Sequence, residues 1–183
     1  MHKKILCSVA VLLLAGLSIL MTAQDQAGGQ QKPPLSPPAT AEGTIGGQKV
    51  SIKYSAPSMR NRKIMGELVP YGKVWRTGAN AATTLETSAD LMIGDLRVPK
   101  GTYTLYTLPG ETEWKLIVSK QTGQWGTDYS EAQDLGRVNL SVKKTASPVE
   151  KFMIALEPGG ANDATLKMSW ENTEVSAPVK IAG

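Results

Sequence analysis

Cysteine, histidine and phenylalanine each occur once in 183 residues. The cysteine and the histidine, Cys7 and His2, both stand in the first few residues, where Lys3 and Lys4 precede an apolar run from Ile5 to Leu20 and small and polar residues follow at Thr22, Ala23 and Gln24. That three-part layout is the pattern of a secretory signal peptide, so residues 1–23 are expected to be removed and the mature chain to begin near Gln24. The apolar run is short of the ~20 residues that a spanning helix uses, and no stable membrane span is expected once the leader is gone. Cys7 stands before the apolar run, not after it as a lipid-bearing cysteine would.

A mature chain without histidine or cysteine loses several chemistries at once. Ser-His-Asp and Cys-His nucleophile systems need an imidazole base. Zinc sites draw mostly on Cys and His, and haem loses two of its usual ligands. No intramolecular disulfide can form, so an exported domain must hold together through its core. No cofactor or metal is expected. The formal charge of +4 falls to +2 when Lys3 and Lys4 leave. Lys49, Lys53, Lys143 and Lys167 sit at scattered, alternating positions that read as solvated strand faces, so no nucleic-acid partner is expected.

Residues 24–41 are rich in Gln, Gly, Ala and Pro, with Pro33, Pro34, Pro37 and Pro38 favouring an extended spacer. From 42 onward the hydrophobic period is two. Val50, Ile52 and Tyr54 alternate with Lys49, Ser51 and Lys53, and the theme recurs at Trp114–Val118, Val138–Val142, Phe152–Leu156 and Leu166–Trp170. Shorter candidates cover Thr83–Ser88, Asp90–Ile93, Leu96–Val98, Thr102–Leu108 and Val175–Ile181. Turn signals fall between them at Gly46-Gly47, Gly94-Asp95, Pro99-Lys100-Gly101, Pro109-Gly110 and Pro158-Gly159-Gly160. The pattern predicts an all-β domain over 42–183, an antiparallel sandwich of about eight to ten strands, jelly-roll or immunoglobulin-like, with a closed barrel as the alternative.

Tyr54-Ser55-Ala56-Pro57-Ser58, Arg62-Lys63-Ile64-Met65-Gly66, Val69 through Asn80 with Thr83-Thr84, and Gly101-Thr102-Tyr103 through Pro109 carry a resemblance. Trp114, Gln124-Trp125-Gly126, Tyr129, Asp134, Arg137-Val138 and Pro148-Val149-Glu150 follow in matching order. Over Gly47 to Asn172 the chain resembles the bacterial family of domains of unknown function numbered 2911. The resemblance implies an exported bacterial β-domain, periplasmic or secreted, and supplies no catalytic residues. It also implies a Glu after Gly-Ala-Asn in many relatives, where this chain has Ala81.

Two constellations are candidates for function. Arg76 and Asn80 flank Thr77-Gly78-Ala79 beside Tyr71 and Trp75, so a tight turn brings a guanidinium fork and a carboxamide near aromatic faces, a set suited to a carboxylate or sugar. The structural alternative pairs Arg76 with Glu67 or Glu86, has Asn80 cap the loop and uses Trp75 to plug the sandwich end. Trp125 and Tyr129, in the polar stretch from Lys120 to Gln133, form either a stacking platform or a lid over the domain's own core. Asp128, Glu131 and Asp134 lack calcium-loop spacing. Ser141 and Lys144 match Ser-x-x-Lys in form, but residues three apart on a strand face opposite ways. Glu111 and Glu113 are the remaining carboxylate pair. The favoured expectation is a noncatalytic envelope module that binds a carbohydrate or small anionic ligand. A carboxylate-dependent glycosidase or lyase and a purely structural scaffold are the other two readings.

Overall fold

The alternating apolar residues become strands whose inner positions are sealed from solvent. Described over residues 33–183, the computed structural model contains nine strands and a single turn of 3-10 helix at Glu131–Gln133. The strands are β1 (Pro38–Ile45), β2 (Gln48–Ser55), β3 (Thr83–Thr87), β4 (Leu91–Ile93), β5 (Leu96–Val98), β6 (Gly101–Leu108), β7 (Trp114–Ser119), β8 (Asp134–Pro158) and β9 (Asp163–Ile181). The expected leader and the expected linker as far as residue 32 lie outside the described residues.

All neighbours pair antiparallel in the order β1-β2-β3-β6-β7-β8-β9-β4-β5, with β1 and β5 at the ends, so the sheet is open and not a closed barrel. Gly46 and Gly47, at φ 56° and 76°, make the two-residue turn that joins Ile45 to Gln48, a geometry matched to the twist of a hairpin. The sheet folds over so that its two parts share one core. Tyr54 on β2 reaches across to accept a hydrogen bond from the Ile154 amide on β8 at 3.0 Å. Val50, Ile52, Leu85, Leu105, Leu116 and Val118 from one part join Phe152, Leu166, Met168, Trp170 and Val179 from the other.

The long strands β8 and β9 each unite two segments that the sequence separates. In β8 the register shifts between Lys144 and Val149 and again between Val149 and Met153, and Pro148 sits within the first interruption, where its missing N–H breaks no ladder bond. The spacer reading also runs too far: Pro38–Ala41 belong to β1, paired with Ser55–Ile52. Pro38 is tolerated because β1 is an end strand.

One part of the outer face is covered. Thr104, Tyr106, Ile117 and Ser119 alternate with the core residues of β6 and β7, yet are themselves buried. Segment 120–133 lies over them: Gln124 Nε2 donates to Thr104 Oγ1 at 3.2 Å and to the Tyr106 hydroxyl at 3.1 Å, and Ser119 Oγ to the Gln133 carbonyl at 3.4 Å.

Candidate functional site

Segment 68–82 is fastened to the end of β6. Trp75 and Thr107 exchange backbone hydrogen bonds at 2.8 and 2.9 Å, so Trp75 behaves as a one-residue extension of the sheet. Its indole stacks on Trp170 at 5.7 Å with planes 18° apart, and meets Phe152 edge-on at 5.0 Å. Trp75 therefore closes the end of the core. Immediately beyond Arg76 the chain turns sharply. Thr77 is fully buried and holds φ 53°, an unfavourable region for a β-branched residue that costs about 1–3 kcal/mol. The hydroxyls of Thr77 and Thr107 lie 3.1 Å apart, and Thr83 Oγ1 donates to the Thr77 carbonyl at 2.8 Å. Gly78 follows because a Cβ there would stand 3.0 Å from the Ser55 carbonyl. The strain is held by surrounding bonds, and it fixes the direction in which Arg76 leaves the backbone.

Arg76 has no ionic partner among the described residues. Glu67 pairs with Lys63 and Glu86 with Lys53, so neither expected carboxylate reaches it. Its Nε is shut away from solvent with no hydrogen-bond acceptor. A buried guanidinium nitrogen left unpaired costs about 1–3 kcal/mol or more, which makes the position a poor structural rivet. Arg76 instead lines two clefts. The first, about 220 Å³, is bounded by Leu68, Pro70, Lys73, Tyr106, Thr127 and Tyr129 among others. The second, about 290 Å³, has Leu35, Arg62, Val69, Ala79, Asn80 and Trp170 in its walls. Leu68, Trp75 and Arg76 belong to both, and neither contains an Asp or Glu.

Tyr129 forms the far wall of the first cleft and is held by a polar network. Its ring meets Tyr106 edge-on at 4.9 Å. Its hydroxyl donates to Asp134 Oδ2 at 2.9 Å and accepts from Arg137 Nη2 at 2.9 Å, while Arg137 Nε also reaches Asp134 Oδ2 at 3.0 Å. Burial pushes the Tyr129 phenol above its ordinary value, and the Asp134 carboxylate adds to the shift. Burial also raises Tyr106. Both tyrosines therefore stand as neutral phenols at physiological pH. The bond to Asp134 raises Arg137 further.

A family model described as a protein of unknown function, DUF2911, matches residues 36–179. The chain belongs to the DUF2911 family. The DUF2911 match runs from just before β1 nearly to the end of β9, so it takes in the first cleft, all of the second but Leu35, and every strand except the last two residues of β9. No curated protein and no solved structure matches the chain significantly.

The DUF2911 domain brings together four of the six candidate residues. Trp75, Arg76 and Tyr129 meet at the first cleft, and Asn80 joins Trp75 and Arg76 at the second. Asn80, at φ 59°, turns the chain so that its carbonyl accepts the Gly126 amide at 3.0 Å. Tyr71 is placed elsewhere, in a cavity of about 590 Å³ with Glu111, Lys143 and Glu171. Trp125 is 56% exposed and bridges to Ala81, where the family resemblance led to an expected Glu. Glu131 and Asp134 both turn to Arg137. Lys143, from the Ser141-to-Lys144 segment, pairs with Glu174 at 2.9 Å. Glu111 and Glu113 line a separate shallow cleft with Lys115.

Sequence reasoning passed over Leu68, Lys73, Tyr106, Gly126 and Arg137 as site residues. Gly126 carried a readable signal, since a glycine inside an aromatic loop marks close approach. Arg137 was hidden in a strand alternation, and Tyr106 looked like any outer-face residue because nothing local reveals that another segment covers it.

Proposed function

We propose that this domain is a noncatalytic module of the bacterial envelope, exported by the 1–23 leader, that binds a small anionic ligand at Arg76. The observation that carries the reading is a guanidinium with no carboxylate partner among the described residues, lining two clefts that hold Lys73 and Arg62 and no acid. Arg62 spends its guanidinium on the Met59 and Ser58 carbonyls, which leaves its charge without a carboxylate partner among the described residues. A carboxylate or phosphate arriving there would meet a positive field in a partly water-excluded site, and Arg offers the planar fork that such oxygens fit.

The absence of an acid from both clefts favours binding over a glycosidase-type reaction, which needs two carboxyl groups across one bond. The sugar half of the expectation has less behind it. Tyr71 and Trp125 do not line a common cleft, and Tyr129 has its ring against Tyr106.

Titration of the mature domain with inorganic phosphate and with acetate at low ionic strength tests the reading. Saturable binding in about the millimolar range that disappears in Arg76→Leu and weakens in salt supports it. Binding indifferent to Arg76, or turnover of a ligand, overturns it. Mass measurement of the protein recovered from cells tests export, with an N-terminus near Gln24 expected and an intact Met1 contradicting it.

A further inference from the structure

Two positive charges line the first cleft. Lys73 stands there with Arg76, and no acid shares the lining. Neither cation forms an ion pair among the described residues. The two phenols in the walls do not supply the missing negative charge. Tyr106 donates its proton to the Asp128 carbonyl at 3.2 Å and Tyr129 donates its own to Asp134 Oδ2 at 2.9 Å. Behind Tyr129, Arg137 is matched by Asp134 and Glu131, so its charge is spent outside the cleft. Arg76 is held in place as well, because its Cδ passes 2.5 Å from where a Cβ on Gly126 would stand. A guanidinium fixed in this way loses little freedom when it binds.

We propose that the anion bound at Arg76 is doubly charged: the inorganic phosphate dianion, held in the first cleft between the Arg76 guanidinium and the Lys73 ammonium. This inference rests on the anion-binding reading above and adds the ligand's charge and size. A single carboxylate would neutralise one of the two cations and leave the other unmatched. The cleft encloses about 220 Å³, below the roughly 300–1,000 Å³ of pockets that take drug-sized molecules, so an ion suits it better than a large ester. Thr127 adds a hydroxyl to the same lining, able to donate to an oxyanion or to accept from the one proton that the dianion keeps.

The test compares phosphate, dimethyl phosphate, sulfate and glucose 6-phosphate as ligands of the mature domain at pH 8 and constant ionic strength. Dimethyl phosphate keeps the tetrahedral shape and carries one charge. One further unit charge about 4 Å from a cation is worth about fivefold in affinity even at the dielectric constant of water, so phosphate should bind at least about that much tighter than dimethyl phosphate. Lys73→Met, at an exposed position, should weaken phosphate more than dimethyl phosphate. Sulfate and glucose 6-phosphate should bind no tighter than phosphate, and a tighter fit of either overturns phosphate as the occupant. Equal affinities for phosphate and dimethyl phosphate that still require Arg76 overturn this inference and leave the anion site standing. Affinities indifferent to Arg76 remove the anion site as well.

Discussion

A Cβ built on Gly126 would stand 2.5 Å from Cδ of Arg76, closer than any ordinary carbon contact. The same Cβ would lie 2.7 Å from the Asn80 carbonyl that receives the Gly126 amide. The loop over β6 and β7 and the turn after Trp75 thus meet at a residue with no side chain, and Arg76 runs through the space that absence leaves. Gly126→Ala should push Arg76 out of its path and disturb the Asn80 bond. Overpacking of this kind costs about 1–3 kcal/mol. The expected outcome is a lower melting temperature together with loss of anion affinity, read by thermal unfolding and titration of one sample.

Glu171 fastens the start of segment 64–69 to β9. Its carboxylate accepts the Ile64 and Met65 amides at 3.1 and 3.0 Å from a residue held at φ 54° in the bend of β9. Glu171→Ala leaves two backbone donors without their acceptor, at a cost of about 1–3 kcal/mol. A fall of about 2–4 °C per kcal/mol is expected in thermal unfolding. Hydrogen exchange should speed up at Ile64 and Met65 before it does in β2.

Acid should destabilise the fold through identifiable carboxylates. The Lys100 backbone amide, followed by the Arg97 side chain, holds Asp90 below its ordinary value. The hydrogen bond from Lys143 does the same for Glu174, against the opposing effect of burial. Folded values below unfolded ones mean that the stabilisation is present above the unfolded values, near pH 4, and is lost as pH falls through the folded ones. Asp90→Asn should flatten the acid limb of a stability-against-pH curve measured by denaturant titration. A limb unchanged in the variant would contradict this assignment.

The alkaline limb has the opposite sign. Burial raises Tyr106 and Tyr129, and the Asp134 carboxylate helps to raise Tyr129. Their neutral forms favour the fold fully below the unfolded phenol value, near pH 10, and the benefit is lost as pH rises through the folded values. Ultraviolet titration of the phenols should show late-ionising groups, with one fewer in Tyr129→Phe.

Most of the fold was legible because half-buried strands repeat every two residues. Val50, Ile52 and Tyr54 in β2 and Leu166, Met168 and Trp170 in β9 announce their inner face directly. The β1 strand was less legible, since Pro37 and Pro38 look like spacer and only its end position in the sheet makes Pro38 acceptable. The continuity of β8 was hidden behind Pro148, which a central ladder would not tolerate and an interrupted one does. At the candidate site, the unusual composition of 68–84 pointed to Arg76 and Asn80. It did not reveal Lys73 or Tyr106 as neighbours, because those meetings depend on how segment 120–133 lies over β6, a long-range matter with no local period. The expected partners Glu67 and Glu86 were plausible by charge alone, but each has a lysine closer at hand.

On the proposed reading, Arg76 serves a ligand and not the fold. Arg76→Leu tests it in one pair of measurements, thermal unfolding without ligand and titration with phosphate and acetate. Replacing an unpaired, partly buried guanidinium by a hydrocarbon of similar reach removes a desolvation cost, so stability should stay level or rise. The predicted result is an unchanged or higher melting temperature with anion binding gone. A melting temperature lowered by several degrees, with binding retained, would contradict the account and make Arg76 a structural residue.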